Sequence, residues 1–272
     1  MTVGIVGLGL IGGSIGLALR DPSRTIVGCD PSDEAQRLAK SRFCVDDILP
    51  LDQVVQSDIV FVAAPPSSVR KVLDEVFAHR RPDNVVTDVT SIKADVVEWA
   101  EENKAHDFVP GHPMAGHEKS SAAYASAWMF RNARWILTPV AKTKKSAVKT
   151  VESIVKAMGA VPVRVSPEQH DRQVAVLSHL PHVVAAMLVN IADGLERTDV
   201  SGCSWKDLTR VGGVDPDLWT QILAGNRREL AKVLADAEAD FATVRQALER
   251  DDATAVRDYL ERARTAKRKQ EA

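Results

Sequence analysis

The sequence predicts a protein of two parts: an N-terminal α/β domain with a mostly parallel sheet, followed by an all-helical domain. In the first half of the 272 residues, short β-rich runs alternate with helical stretches. This alternation is typical of a parallel sheet covered on both faces. After about residue 166 the periodicity is helical, without strand signals. A glycine-rich turn after the first predicted strand is the third observation, because it is typical of nucleotide-binding α/β domains.

The predicted strands place the domain boundary. They are residues 2–7, 25–30, 58–65, 84–89, 107–113, 133–139 and 161–165. The change of pattern at "VSPEQ" divides the chain into residues 1–165 and a helical domain of residues 166–272. The segments 174–192 and 217–248 are too apolar for one chain to cover, so we expect a two-fold homodimer.

Charge and hydropathy give no sign of a nucleic-acid or membrane partner, and the cysteine content indicates the cellular compartment. The net charge of −2 and the pI near 6.4 give no argument for nucleic acid or a membrane as partner. No uninterrupted apolar run reaches the roughly 18–20 residues that cross a bilayer. The three cysteines, Cys29, Cys44 and Cys203, are odd in number and widely spaced, which favours reduced thiols in the cytoplasm.

The glycine turn has the spacing of a dinucleotide site. Gly7, Gly9 and Gly12 form G-x-G-x-x-G between the first strand and a helix. The first glycine permits the turn, the second lets the backbone approach a pyrophosphate, and the third lets helix and strand pack closely. Leu10 and Ile11 open the helix, where free N–H groups can bind phosphate. We therefore predict a Rossmann-type domain.

Residues at the ends of the next strands complete the predicted cofactor site. Asp30 ends the second strand, where its carboxylate can bind ribose hydroxyls and repel a 2′-phosphate, which favours NAD over NADP. Ala64 and Pro65 end the third strand and are expected beside the nicotinamide. The alternative is a structural glycine turn, with Asp30 capping the following helix.

The stretch "FVPGHPMAGHEKSS", residues 108–121, is predicted as a loop because of its glycines and prolines. His112 lies there at a strand end, beside the predicted nicotinamide. An imidazole suits a base that takes a hydroxyl proton while hydride leaves the same carbon. The alternative is a structural histidine. A metal site built from His112, His117, His179 and His182 is not expected, because no H-E-x-x-H spacing occurs.

These segments together resemble the prephenate/arogenate dehydrogenase family of tyrosine biosynthesis. The matching elements extend from about residue 3 to residue 219 and are "GLGLIGGS", "VTDVTSIK", "GHPMAGHEKS", "ILTP", "SHLPH" and "KDLTRVGGVDPDLW". The resemblance implies an NAD-dependent oxidative decarboxylation. Hydride leaves the hydroxyl-bearing carbon of a cyclohexadiene ring, and carbon dioxide leaves the opposite position.

The resemblance also implies roles for individual residues. His112 matches the catalytic histidine, and Ser91 matches the serine that orients the ring hydroxyl. The implied substrate-binding residues are Arg210 for a carboxylate, His179 and His182 at the substrate end, Glu118 and Lys206 at the pocket mouth, and Trp219, which can reach the neighbouring subunit's site. Other interpretations stay open. Ser91 could cap the next helix, Arg210 could form a surface ion pair, and Trp219 could belong to the core.

Prephenate and arogenate differ only in the side chain, so one or two pocket residues decide between them. Prephenate is expected over arogenate, because Arg210 and His182 supply positive charge for two carboxylates, although Glu118 could hold an ammonium. The enzymatic alternatives are arogenate dehydrogenase and a β-hydroxyacid dehydrogenase or reductase, and a non-catalytic NAD sensor is the alternative of another class. Because no further βαββαβ pattern follows the helices, we expect a stand-alone dehydrogenase.

Overall fold

The computed structural model describes residues 1–117, 119–196 and 199–271, with the side chain of residue 271 left aside. The chain divides into two compact units, Met1–Asn226 and Arg227–Ala272. All the strands that the structure describes belong to the first unit. The boundary near residue 166 stays a prediction. It coincides with the change from the last of these strands to helices.

A parallel sheet lies at the centre of the first unit. Its strands are β1 (Thr2–Val6), β2 (Thr25–Cys29), β3 (Asp47–Ile48), β4 (Ile59–Val62), β5 (Val85–Asp88) and β6 (Phe108–Val109), in the order β3-β2-β1-β4-β5-β6. The helices between them are α1 (Leu10–Ala18), α2 (Asp33–Ser41), α3 (Leu51–Val54), α4 (Val69–His79) and α5 (Ala94–Glu102). The predicted nucleotide-binding α/β domain is confirmed. The sequence pattern did not reveal β3, which is only two residues long.

Apolar side chains cover both faces of this sheet. In β4, Ile59 and Phe61 join one buried cluster, and Val60 and Val62 join another. Successive side chains of a strand point to opposite faces, so burial on both faces gives an uninterrupted apolar run. This explains why the sequences of the predicted strands are nearly uninterrupted apolar runs.

The segment predicted as one strand over 107–113 forms two strands in two sheets. β6 pairs in parallel with β5, whereas β7 (Gly111–Pro113) pairs antiparallel with β8 (Arg134–Leu137). Pro110 separates them, since proline cannot donate a ladder hydrogen bond. β9 (Val161–Arg164) completes the second sheet beside β8, after α6 (Lys145–Ala157). His112 therefore lies on β7, inside the predicted strand range, and the stretch 108–121 is not a loop throughout.

Helices form the rest of the first unit and the second unit. α7 (Pro167–Val174) continues through a π-helical turn (Ala175–His179) into α8 (Leu180–Ala192), and α9 (Cys203–Thr209) and α10 (Pro216–Gly225) follow. Pro181 has no N–H to donate to the carbonyl oxygen four residues earlier. The π-helical turn therefore lies where the regular α-helical hydrogen bonds are interrupted. α11 (Arg227–Glu249) and α12 (Ala253–Glu271) make the second unit.

The helix over Pro167–Ala192 corrects one expectation from the sequence. By length and composition alone it could cross a membrane, because it contains an 18-residue window with a mean hydropathy of 1.8. The uninterrupted-run criterion missed it because Ser178, His179 and His182 interrupt the apolar residues, whereas the mean averages over them. Soluble helices that bury an apolar face against a neighbour pass the same test.

Candidate active site

The glycine turn between β1 and α1 has the geometry that a dinucleotide site needs. Gly7 has φ of +98°, a left-handed conformation that favours glycine. A Cβ on Gly12 would lie 1.9 Å from the carbonyl oxygen of Gly7, so only glycine lets the helix approach the strand this closely. A Cβ on Gly9 would meet nothing within 4 Å, which leaves room for a phosphate at the N-terminus of α1.

Asp30 is fixed beside this turn. Its Oδ2 accepts a hydrogen bond of 2.7 Å from the backbone N–H of Leu8, and its Oδ1 accepts one of 2.9 Å from that of Ser32. Each carboxylate oxygen keeps a second lone pair for a ribose hydroxyl. The carboxylate is thus oriented from both sides and does not cap α2, whose N-cap is Ser32.

Two clefts meet at Ala64 and Pro65 and together fit a dinucleotide. The first has a volume of about 820 Å³ and is lined by Gly7 and Asp30 among others. The second has a volume of about 280 Å³, and its lining includes Gly9, Leu10, Ile11, Gly12, Ser91 and Trp219. Ala64 and Pro65 line both. The residues predicted to bind the cofactor therefore lie along one continuous path.

His112 lies on β7, with 7% of its surface exposed. It is connected to the lining of the second cleft through Lys93. The ammonium of Lys93 donates to Thr90 Oγ1 in that lining, at 3.0 Å, and to the carbonyl oxygen of Gly111, at 2.6 Å. Gly111 immediately precedes His112, so the histidine is held from the cleft wall.

A buried chain of hydrogen bonds extends from His112 into the helical part. Nδ1 of His112 is 2.8 Å from Nε2 of His170, and Nδ1 of His170 is 2.7 Å from Oδ1 of Asp171. Asp171 also accepts hydrogen bonds of 2.9 Å from the backbone N–H groups of Lys93 and Ala94. The Asp171 carboxylate thereby caps α5, and the alternative reading of Ser91 as that cap is wrong.

Lys93 and Asp88 form a second buried pair behind β7. Nζ of Lys93 is 2.6 Å from Oδ2 of Asp88, and both side chains are fully buried. Thr90 donates to the same carboxylate, and the backbone N–H of Gly111 donates to its Oδ1 at 3.0 Å. The three acceptors around Nζ match the three N–H bonds of an ammonium. This network fixes the backbone before His112.

Burial makes the site's histidines reluctant to take a proton. It lowers the pKa of His112 well below its usual value, and the basic groups nearby, His170 first, lower it further. Burial also lowers the pKa of Lys93, while the carboxylate of Asp88 opposes this. For Asp171, burial alone raises the pKa. The hydrogen bonds from His170 and from two backbone N–H groups outweigh it and lower the pKa.

His179 is buried in the π-helical turn, with its tautomer set by Asn226. Nδ2 of Asn226 donates to the backbone oxygen of Asp171 at 2.7 Å, which identifies it as the amide nitrogen. The same nitrogen is 3.2 Å from Nδ1 of His179, so that ring nitrogen accepts. Nε2 then carries the proton, and it is buried without a partner among the described residues. Burial lowers the pKa of His179 to about 4.

His182 and Trp219 form a stacked pair one turn further along α8. Their ring centroids are 3.5 Å apart with planes inclined by 22°, and Trp219 is half-buried. Nδ1 of His182 is 2.8 Å from the carbonyl oxygen of Ser178, so it donates there. Burial lowers the pKa of His182, and the charge of Arg210 lowers it further.

The remaining predicted site residues are placed as follows. Ser91 is half-buried in the second cleft, and Arg210 and Lys206 are exposed at the C-terminal end of α9. Glu118 lies outside the described residues. His117 is exposed, stacks on Tyr124 at 5.5 Å and lines the second cleft. Among the described residues, no group of three or more His, Cys, Asp or Glu side chains is arranged to hold a metal.

Sequence reasoning missed the groups behind His112. His170, Asp171 and Asn226 lie in helices that were predicted only from their periodicity, and Asp88 and Lys93 lie inside a motif that was quoted for its serine. The one local signal was the adjacent His170-Asp171 pair at the start of an apolar helix, where two polar residues need buried partners.

A nucleotide turn, a fixed acidic residue after β2 and a buried histidine held from the wall of the second cleft define a nicotinamide-dependent oxidoreductase. The model of the prephenate dehydrogenase nucleotide-binding domain matches residues 15–164, and that of the prephenate dehydrogenase dimerization domain matches residues 166–262. The chain belongs to the prephenate dehydrogenase family.

Individual relatives agree with this assignment. The chain is 35% identical to prephenate dehydrogenase of Bacillus subtilis, over 97% of this chain and 74% of that protein. It is 32% identical to cyclohexadienyl dehydrogenase of Zymomonas mobilis, over 95% and 90%. The crystal structure of prephenate dehydrogenase from A. aeolicus in complex with hydroxyphenyl propionate and NAD+ superimposes with a TM-score of 0.90, at 29% identity over 99% of this chain and 98% of that one.

Proposed function

We propose that this chain catalyses the NAD-dependent oxidative decarboxylation of prephenate to 4-hydroxyphenylpyruvate, a step of tyrosine biosynthesis. The observation that carries the proposal is the hydrogen bond between Nδ1 of His112 and His170. It leaves Nε2 of a neutral, buried imidazole without a bond to any described residue. Such a nitrogen can take the proton of the ring hydroxyl as a general base. When bound, NAD supplies the acceptor for the hydride of the same carbon.

Two further side chains suit the ring of the substrate. The hydroxyl of Ser91 lines the second cleft and can orient the ring hydroxyl toward His112. His179 offers a buried Nε2–H that lacks an acceptor among the described residues, and a buried donor without a partner is costly. An oxygen of the substrate would supply that acceptor. Both roles agree with what the family resemblance implies for these positions.

Cations at the end of α9 suit the carboxylates of the substrate. The guanidinium of Arg210 is close enough to His182 to lower its pKa, and its planar fork suits bidentate binding of a carboxylate. Lys206 lies one turn earlier on the same helix. We assign Arg210 to a substrate carboxylate and Lys206 to the entrance. For Glu118 the proposed place at the entrance rests on the family resemblance alone.

Arogenate is the second candidate substrate, and His182 favours it. Because Nδ1 of His182 donates to Ser178, Nε2 of the neutral ring is an acceptor. The lowered pKa keeps the ring neutral near pH 7. An acceptor suits the ammonium of arogenate, whereas a carboxylate needs a donor. This observation weakens the expectation that His182 supplies positive charge.

The cofactor preference follows from Asp30. Its carboxylate borders the first cleft and is held by two backbone N–H groups, so it cannot turn away from a 2′-phosphate. An Asp30→Ser variant should lose affinity for NAD and gain activity with NADP, because the repulsion is removed. A Ser32→Ala variant, which changes a neighbouring hydroxyl, should keep the preference for NAD. Unchanged preference in the Asp30 variant would contradict this role.

We also propose that the chain forms a homodimer in the cytoplasm. The helix over Pro167–Ala192 exposes apolar side chains on one side, with Leu177 70% and Ile191 66% exposed. Contiguous apolar surface of this kind marks an interface, and residues 166–262 match a dimerization-domain model. Sedimentation should give twice the 29.6 kDa mass of the chain. A Leu177→Glu variant should dissociate, and a wild-type monomer at micromolar concentration would contradict the proposal.

Turnover with defined substrates tests the proposed reaction. Purified protein is offered prephenate or arogenate, each with NAD or NADP, and formation of the reduced cofactor is followed by absorbance. The proposal predicts the highest kcat/KM with prephenate and NAD. A preference for arogenate would support the reading of His182 as an acceptor. No turnover with any of the four pairs, from protein that binds NAD, would contradict the proposed function.

A further inference from the structure

His170 and Asp171 are buried polar residues that the proposed reaction does not use directly. Their exposed fractions are 1% and 5%. Both ring nitrogens of His170 face protein partners, and both carboxylate oxygens of Asp171 accept from backbone N–H groups, so neither residue is expected to touch cofactor or substrate. Burying an imidazole and a carboxylate is costly unless each finds a partner. Their partners are each other, His112 and the start of α5.

The direction of each hydrogen bond in this chain can be worked out from its fixed end. The backbone N–H groups of Lys93 and Ala94 can only donate, so both oxygens of Asp171 accept. Nδ1 of His170 lies 2.7 Å from one of these oxygens and therefore carries a proton. With that proton on Nδ1 and none on Nε2, Nε2 of His170 has a lone pair. Nδ1 of His112, 2.8 Å away, must donate to it.

We propose that His170 and Asp171 are positioning residues that hold His112 in the Nδ1–H tautomer, so that its Nε2 is the base. The inference deepens the proposed function and rests on it for the meaning of that base. Once Nε2 has taken a proton, the imidazolium donates to His170, and His170 donates to the carboxylate of Asp171. The new positive charge is thus directed along hydrogen bonds to a negative one, which stabilises it. His170 and Asp171 exchange no atoms with the substrate.

A purely structural role makes a different prediction. Asp171 caps α5 and joins it to α7, so it would stabilise the fold even if His112 had no function. In that case removal of His170 would change stability but leave the tautomer of His112 unchanged. The tautomer can be measured directly, by two-bond proton–nitrogen correlation spectra of protein labelled with ¹⁵N-histidine. The signals of His112 are assigned by their loss in a His112→Asn variant.

The experiment compares two substitutions of His170 with the wild type. In His170→Gln the side-chain oxygen can still accept from Nδ1 of His112, whereas in His170→Phe no acceptor remains. We expect the wild type and His170→Gln to show the proton of His112 on Nδ1. In His170→Phe the proton should move to Nε2 and kcat should fall about 10²-fold. The KM for prephenate and the KM for NAD should each change less than about twofold, because ground-state binding is not altered. His79→Phe, on the exposed end of α4, is the matched control and should behave as wild type.

The outcomes separate this inference from the proposed function. A wild-type protein with the His112 proton on Nε2 would overturn the inference whether or not the protein is active, and so would an unchanged tautomer in a folded His170→Phe variant. If that variant does not fold, the wild-type and His170→Gln spectra still decide. The predicted tautomers in a protein without dehydrogenase activity would uphold the inference about His112 and contradict only the proposed function.

Discussion

Replacing Lys93 by methionine should lower the free energy of unfolding by about 3–5 kcal/mol, because it leaves a buried carboxylate without its cation. The Nζ atom lies 2.6 Å from Asp88, 3.0 Å from Thr90 and 2.6 Å from the carbonyl oxygen of Gly111. Neither Lys93 nor Asp88 has any exposed side-chain surface, so water cannot replace the lost donor. After the substitution, Asp88 keeps only its bonds to Thr90 and to the N–H of Gly111.

Urea unfolding at fixed protein concentration and pH 7 measures this cost. The matched control is Lys40→Met, which breaks an ion pair with Asp47 whose partners are 48% and 63% exposed. Such a pair contributes at most about 1 kcal/mol. Adding Asp88→Asn to Lys93→Met should recover part of the loss, since an amide is cheaper to bury than a charge. A loss in Lys93→Met no larger than that of the control would refute the reasoning.

Two other predictions concern the glycine turn and the buried histidines. Gly9→Ala should fold normally, because its Cβ meets only open space, but it should lose NAD affinity in calorimetric titration. Gly12→Ala should also lower the melting temperature, because its Cβ would overlap Gly7. Equal stability of the two variants would contradict this. Unfolding free energy should fall as pH drops from about 6.5 to about 4, because the lowered pKa values of His112 and His179 let the unfolded chain bind more protons. His179 contributes at most about 3 kcal/mol of this change. If the unfolding free energy of a His179→Gln variant depended as steeply on pH as that of the wild type, this contribution would be contradicted.

Local signals were sufficient for the first sheet. The glycine spacing after β1 and the apolar runs of β1 and β4 come from residues close in sequence, and a strand buried on both faces leaves few other readings. The split of residues 107–113 was not predicted. Pro110 forbids continuous pairing, but which sheet each half joins depends on β8, which lies more than twenty residues further along the chain.

The candidate site was only half visible in the sequence. His112 stood out because it lies next to glycines and prolines at a strand end. His170 and Asp171 are separated from it by 58 residues or more, and only the fold brings them together. Likewise, the sequence suggested positive charge on His182. Its neutral state follows from burial and from the nearby Arg210, and both depend on the tertiary structure.

The most direct test of the account is the turnover of a His112→Asn variant with prephenate and NAD. If Nε2 of His112 is the base, kcat should fall by roughly 10²–10⁴-fold, while titration still shows NAD binding, because the glycine turn and Asp30 are unchanged. A His79→Asn variant is the comparison, since it changes a histidine at the exposed end of α4 that lines neither cleft. Turnover of the His112 variant within about twofold of wild type would remove His112 from the reaction and contradict the central claim.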